Sequence, residues 1–146
     1  MTNEWTITMD ARHAPTLAAF WQIALGYVPS PPPAGFGSWE EWYERFNLTD
    51  DEKAGVAAIV DPEGRRPRIS FLAVPETKTV KNRIHLDVQI GGGRAVEHAV
   101  RWPRVEAMVQ RLTEAGARTQ QIVEGPHGLP DHVVMLDPEG NEFCVL

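Results

Sequence analysis

The sequence predicts an α+β fold built from two βαβββ modules in one domain. Three observations carry that reading. The turn Asp-Pro-Glu-Gly occurs twice, at Asp61–Gly64 and at Asp137–Gly140, and a strand-like run follows each copy. Each half opens on an alternating strand, then an apolar stripe at helical spacing that a glycine stops, Gly26 in the first half and Gly116 in the second. A polar connection, Pro75 to Asn82, lies between the halves. The repeats therefore run over about 4–75 and 83–146, within a single domain spanning 1–146, a length that can bury a real core.

From Trp5 to Asp10 the residues alternate, with Trp5, Ile7 and Met9 on one face and Thr6, Thr8 and Asp10 on the other, the pattern of a half-buried strand. Pro15 suits a first helical turn, and Leu17, Phe20, Trp21, Ala24 and Leu25 form one stripe that ends at Gly26. Tyr27-Val28 starts a short strand that the prolines at 29 and 31–33 end or hold at an edge. Ser38 to Phe46 reads as an inserted helix, with Ser38 as N-cap, Glu41 completing a capping box, and Trp39, Trp42, Tyr43 and Phe46 as its aromatic face. Asn47 to Lys53 is polar linker with room for one more helical turn. Gly55–Val60 and Arg68–Val74 read as two strands joined around the first Asp-Pro-Glu-Gly turn.

In the second half Arg83, His85 and Asp87 alternate with Ile84, Leu86 and Val88, and the glycines at 91–93 end that strand in a turn. Pro103 is expected to open a helix bearing Val105, Met108, Val109, Leu112 and Ala115. Strands follow at Ala117–Val123 and Asp131–Leu136, separated by a Gly/Pro loop. A last strand follows the second Asp-Pro-Glu-Gly turn. In both turns proline at the second position and glycine at the fourth point to turn chemistry rather than to acidic catalysis.

Net charge is −6 with the basic residues scattered, which argues against a nucleic-acid surface or an anionic membrane surface as partner. The single cysteine, Cys144, allows no internal disulfide. No signal peptide and no membrane-length apolar run are read, so a cytoplasmic enzyme or binding protein is the expectation.

Phe20-Trp21 with Leu25-Gly26, then Lys81 to Val88, then Asp137 to Val145, together resemble the glyoxalase-like branch of the vicinal oxygen chelate superfamily, which includes glyoxalase I, bleomycin resistance proteins and extradiol dioxygenases. The resemblance covers nearly the whole chain. It implies sheets that curl around a central pocket, a homodimer, and a small-molecule ligand. It also implies metal-ligand positions on the first, fourth, fifth and eighth strands. These fall on Thr6, near Leu72, on His85 and on Cys144, with Glu142 two residues from the last. Only His85 matches cleanly. A divalent metal is thus the implied cofactor, but its usual ligand set is mostly missing.

Alternation sets Thr6, Thr8, Asp10, Arg83, His85, Asp87, Glu142 and Cys144 opposite the aliphatic residues of their strands, toward either a pocket or solvent. His85, with Glu142 and Asp87 assisting, is the candidate catalytic group, since imidazole titrates near neutrality and a neighbouring carboxylate favours imidazolium. On the plainer reading His85 only bonds Asp87, Arg83 or a carbonyl, and Glu142 is solvated. Thr6, Thr8, Asp10, Arg83, Trp39 and Trp42 are candidate ligand-binding residues. The aromatic helix is a lid for a flat ligand or, on the plainer reading, a packing face. Cys144 reads as a small buried hydrophobe. His13 reads as an exposed or helix-capping residue, His127 lies in a loop able to cover a cavity mouth or stand at the surface, and His132 starts the strand beside it, with surface placement the plainer reading. Two functions follow from the resemblance: a lyase-, isomerase- or dioxygenase-type enzyme with an incomplete or absent metal site, or a non-catalytic protein that sequesters a drug. An acidic cavity would favour cationic ligands.

Overall fold

A computed structural model describes residues 1–146 and contains helices, strands and two four-stranded mixed sheets. The chain divides into two compact units, one of residues 1–22 and 26–77 and the other of residues 23–25 and 78–146. The first contains strands β1 (Ile7–Ala11), β2 (Val28–Pro29), β3 (Val56–Val60) and β4 (Ile69–Ala73). Helix α1 (Ala14–Leu25) follows β1, and two short helices, α2 (Trp39–Arg45) and α3 (Asp50–Ala54), stand between β2 and β3. The second contains β5 (Asp87–Val88), α4 (His98–Glu114), β6 (Arg118–Glu124), β7 (Pro130–Leu136) and β8 (Glu142–Val145).

Both sheets have the same connectivity. In the first, the order is β1-β4-β3-β2, with β1 parallel to β4 and the remaining pairs antiparallel. In the second, the order is β5-β8-β7-β6, with β5 parallel to β8 and the rest antiparallel. Apart from α2 and α3, inserted between β2 and β3 of the first, each unit is strand–helix–strand–strand–strand, as the repeated turn predicts. Ile59, Ile69 and Phe71 are buried in the first sheet, and Phe143, Val145, Val133 and Met135 in the second. Helix α4 contacts β6, β7 and β8, and its Val105 and Leu112 are fully buried.

The two acidic turns carry the same internal bonding. Asp61 Oδ1 accepts from the Glu63 amide and Oδ2 from the Arg65 amide, while the Gly64 amide closes the turn on Asp61 O at 2.9 Å. Asp137, only 1% exposed, accepts through Oδ1 from the amides of Glu139 and Asn141, both at 2.9 Å. The Asn141 side-chain amide adds bonds to both carboxylate oxygens. Gly64 and Gly140 sit at φ 65° and 85°, a region closed to most side chains. An aspartate that satisfies amides ahead of it stabilises a turn in the way a backbone carbonyl would.

Four expectations are corrected. β1 starts at Ile7, leaving Trp5 64% exposed and Thr6 ahead of the strand. The strand expected at 83–88 contracts to Asp87–Val88, and Ile84 is 82% exposed. The reason lies in β5's partner: Asp87 pairs with Cys144, and in that register Arg83 and Ile84 would lie opposite Gly140 and Asn141 of the turn, ahead of β8. Helix α4 begins at His98, five residues before Pro103, which the helix accommodates internally. Its first turns are held by Arg101, buried and donating to Asp131 O at 2.7 Å and to Asp131 Oδ1 at 3.3 Å. The Arg94 guanidinium, and then His132, hold the Asp131 carboxyl far below its ordinary range. Gly91 makes that arrangement possible, since a Cβ there would fall 2.4 Å from Arg101 Cγ. Finally, Ser38 caps α2 by accepting from the Glu41 amide, but Glu41 Oε2 turns back to the Gly37 amide rather than to Ser38. The complete capping box is one helix later, between Thr49 and Glu52 at the start of α3.

Replacing Asp137 leaves two half-buried backbone amides and the Asn141 side-chain amide without this acceptor, each fully orphaned group costing about 1–3 kcal/mol. Asp137→Ala is expected to lower stability by about 2–4 kcal/mol, whereas Asp137→Asn keeps Oδ1 and loses less. Urea unfolding checks this through a lower midpoint at unchanged slope.

Candidate functional site

The first unit contains a cavity of about 860 Å³. One wall is the open face of its sheet. Along β4, Ile69 and Phe71 are buried, and Ser70 and Leu72 point the other way, with Arg68 just before the strand continuing the same alternation. Ala58 pairs with Ser70 and Val56 with Leu72, so the adjoining strand adds small and apolar groups to the same surface. Arg68, Ser70, Leu72, Ala58 and Val56 all line the cavity. Thr8 and Asp10 pair with Ser70 and Leu72 on this face, at the sheet edge, but are not among the lining residues. Thr6, ahead of β1, is not among them either.

A second wall is aromatic. Trp39, Trp42 and Tyr43 line the cavity from α2. Trp39 and Tyr43 are stacked at 5.9 Å between centroids, and Trp42 meets Trp39 edge-on at 5.7 Å. Trp39 Nε1 donates to Ser30 O at 2.8 Å, which ties the helix to the proline-rich segment after β2. No residue of α2 is buried, so its aromatic face borders the cavity instead of filling a core. Pro15, Ala18 and Gln22 of α1 and Glu52 and Lys53 of α3 complete the boundary.

The charge of this lining differs from the expectation of an acidic cavity. Glu52 is its one carboxylate, and Oε2 is occupied by the Thr49 amide at 2.7 Å and the Thr49 hydroxyl at 2.9 Å. The Thr49 amide bond, foremost, holds the Glu52 pKa down. Against it stand two cations, Arg68 and Lys53.

The second unit brings His85, Asp87 and Cys144 together, with one donor atom from each lying within 4.8 Å of the others. The register explains the grouping: Asp87 is directly opposite Cys144 on the neighbouring parallel strand, and His85 lies two residues earlier. His85 Nε2 is 3.8 Å from Asp87 Oδ1, and both side chains are about half exposed. Cys144 is 7% exposed, and burial first, then the Asp87 carboxylate, pushes its thiol up to about 11.

Glu142 is engaged differently. Its carboxylate accepts from the Asn82 amide at 3.0 Å and from Lys78 Nζ at 3.1 Å, both on the segment leading into β5. Burial would raise its pKa, but these two bonds outweigh that effect and lower it. Glu142 therefore pins the chain that carries His85. Arg83 is exposed on that same segment. His13 caps α1 by accepting from the Thr16 amide, and His132 bonds Asp131, while Leu72, at the expected fourth-strand ligand position, has no donor atom. Sequence reasoning passed over Arg68 and Ser70. Their signal was present in the alternation of Arg68, Ser70 and Leu72 against Ile69 and Phe71.

Two units of βαβββ connectivity, each with a mixed four-stranded sheet, define the architecture of the vicinal oxygen chelate superfamily. The glyoxalase-like domain family matches residues 6–146, and the chain belongs to that family. No curated protein matches it in sequence. Among solved structures it is similar to a glyoxalase/bleomycin resistance protein/dioxygenase family enzyme from Burkholderia phytofirmans, at 17% identity and TM-score 0.58, covering 96% of this chain and 94% of that one. It is also similar to a possible glyoxalase from Bacillus cereus, at 13% identity and TM-score 0.60, covering 100% and 99% of the two chains. A mutant of the fosfomycin resistance protein FosX from Listeria monocytogenes, complexed with Mn(II) and a dihydroxypropylphosphonic acid, matches at 12% identity and TM-score 0.61, covering 99% and 89%. These likenesses concern the fold.

The Cys144 environment yields a direct test. A thiol pushed up to about 11 presents on the order of a hundredfold less thiolate at pH 8 than an ordinary cysteine. Iodoacetamide is expected to label Cys144 at least that much more slowly in the folded protein than in urea, and mass spectrometry of timed samples reads the ratio.

Proposed function

We propose that this protein binds a planar, largely apolar organic molecule in the cavity of its first unit, and holds it without chemical turnover there. The observation that carries the reading is the pairing of a cavity of about 860 Å³ with three aromatic side chains on a helix that buries none of its residues. That volume is within the range of sites that enclose drug-sized molecules. Aromatic walls give large contact area at little cost in side-chain freedom, and stack on flat ligands. The lining contains no histidine and no cysteine, and its one carboxylate is bonded to Thr49. Its remaining ionisable groups are Tyr43, Arg68 and Lys53, the last paired with Asp50, so the lining serves recognition first. A sequestering role is consistent with the bleomycin resistance branch of the superfamily.

A second reading rests on a separate observation, the His85, Asp87 and Cys144 group of the second unit. This reading is a metal-dependent enzyme of lyase, isomerase or dioxygenase type. One nitrogen, one oxygen and one sulfur donor suit zinc better than a hard cation such as the Mn(II) bound to FosX, and three protein ligands leave one position open for a reactant. When bound, such an ion polarises a carbonyl oxygen or lowers the pKa of a water molecule. The chain's own part would be to hold the donors in place: Glu142 anchors the segment through Asn82 and Lys78, and Asp87 partners both His85 and Cys144. Ligation would require Cys144 to give up its proton, so affinity would rise with pH.

Titration calorimetry with the neutral probe 2-naphthol tests the first reading. Saturable one-to-one binding is expected, weakened roughly tenfold by Trp42→Ala or by Trp39→Ala, the loss of about one stacking contact. Binding that is absent, or indifferent to both substitutions, would sink it. Zinc titration tests the second. Stoichiometric binding with proton release, abolished in His85→Ala and tighter at pH 8 than at pH 6.5, is the expected pattern for a metal site; no zinc uptake at either pH removes that reading.

A further inference from the structure

The cavity's polar groups point to the charge of its ligand. We infer that the molecule it takes is an aromatic acid, a flat ring system carrying a carboxylate or a similar planar anion, with the rings against Trp39, Trp42 and Tyr43 and the anion on Arg68 and Ser70. The inference rests on the binding role proposed for this cavity and adds the class of ligand.

Arg68 is the central observation. It lines the cavity, and its side chain makes no hydrogen bond, ion pair or ring contact with the rest of the protein. In a chain with 20 acidic residues against 14 basic ones, a guanidinium left without a carboxylate partner beside an aromatic cavity is available to an anionic ligand. The nearby arginines are engaged: Arg65 pairs with Glu63, and Arg66 pairs with Asp61 at 3.5 Å. Ser70 is the next residue on the same face of β4, roughly 7 Å along the strand by ordinary strand geometry. It is half-buried, lines the same cavity, and its hydroxyl likewise has no protein partner. Between and around these two groups the surface is apolar: Ala58, Val56 and Leu72.

Guanidinium and carboxylate match as two parallel N–H···O bonds, which lysine cannot reproduce, and guanidinium also stacks on aromatic faces. A fixed cation next to stacked rings therefore selects a molecule with both parts. Lys53 reinforces the sign of the field, though it is partly engaged by Asp50 at 3.1 Å and lies over the Tyr43 ring. Glu52, the one acidic group of the lining, is held in its capping box and is not directed at a ligand cation. Asp10, on the same sheet face at the edge strand, is outside the lining.

The test compares three probes of equal size: 2-naphthoate, 2-naphthalenemethanol and 2-naphthylmethylamine, which are anionic, neutral and cationic at pH 7.5. Calorimetry on the full chain is expected to give roughly tenfold tighter binding for the acid than for the alcohol, and weakest binding for the amine. In Arg68→Met the acid should lose its advantage, the ratio of the two affinities falling from about tenfold to near one, and Arg68→Lys should restore part of the difference. The exposure of Arg68 makes both variants compatible with folding. If acid and alcohol bind equally to the unmodified protein, or Arg68→Met weakens both alike, the aromatic-acid assignment is overturned while the cavity reading stands. If none of the three binds, both fall.

Discussion

The buried carboxylate of Asp137 is the constraint on which the second unit depends. It gathers two backbone amides and the Asn141 side chain, and so decides where the turn ends and β8 begins. The starting point of β8 then fixes the rest. It places Cys144 opposite Asp87, puts Glu142 within reach of Asn82 and Lys78, and leaves Arg83 and Ile84 beside the turn instead of beside a strand. Asp61 acts in the same way in the first unit. Its turn sets the antiparallel register of β3 on β4, and through it the pairing of Ala58 with Ser70 that forms the cavity floor.

The turns were also what made the fold legible. Asp-Pro-Glu-Gly encodes its own conformation locally: proline fixes one dihedral, glycine accepts a positive φ, and aspartate supplies the acceptor. Period-two alternation in β1 and β4 and the stripe of α1 are equally local. What could not be read depended on partners far along the chain. Arg83 to Leu86 alternate as a strand should, yet Arg83 and Ile84 fall opposite the turn, where the neighbouring strand has not begun. Pro103 looks like a helix start, but the helix begins earlier, with Arg101 held by Asp131, thirty residues away in sequence. Gly91 reads as part of a flexible triplet, and its real requirement, room for Arg101, appears only in three dimensions.

The candidate site was legible in parts. His85, Asp87 and Cys144 could be placed on one face from alternation alone, whereas the engagement of Glu142 by Lys78 and Asn82 could not. The aromatic helix was visible, but whether its rings fill a core or border a space is a matter of volume, which sequence does not encode. Arg68 was hidden by being ordinary: one of several arginines near the first acidic turn, distinguished only by lacking the partners its neighbours have.

The two units share one connectivity, but only the first carries the insertion between its second and third strands. Helix α2 is seven residues long, buries nothing, and is fixed by its Ser38 cap, the Glu41–Gly37 bond and the Trp39–Ser30 bond. So short a helix has little stability of its own and depends on its few tertiary contacts. Segments of this kind open at a fraction of the global unfolding energy. Under the binding role proposed above, the cavity wall would also be its door: a ligand would enter while β3 and β4 stay paired, and its contacts with the three rings would count toward closing the wall behind it. In such a site occupancy and local order would rise together, and the ligand would itself supply part of the helix's stability.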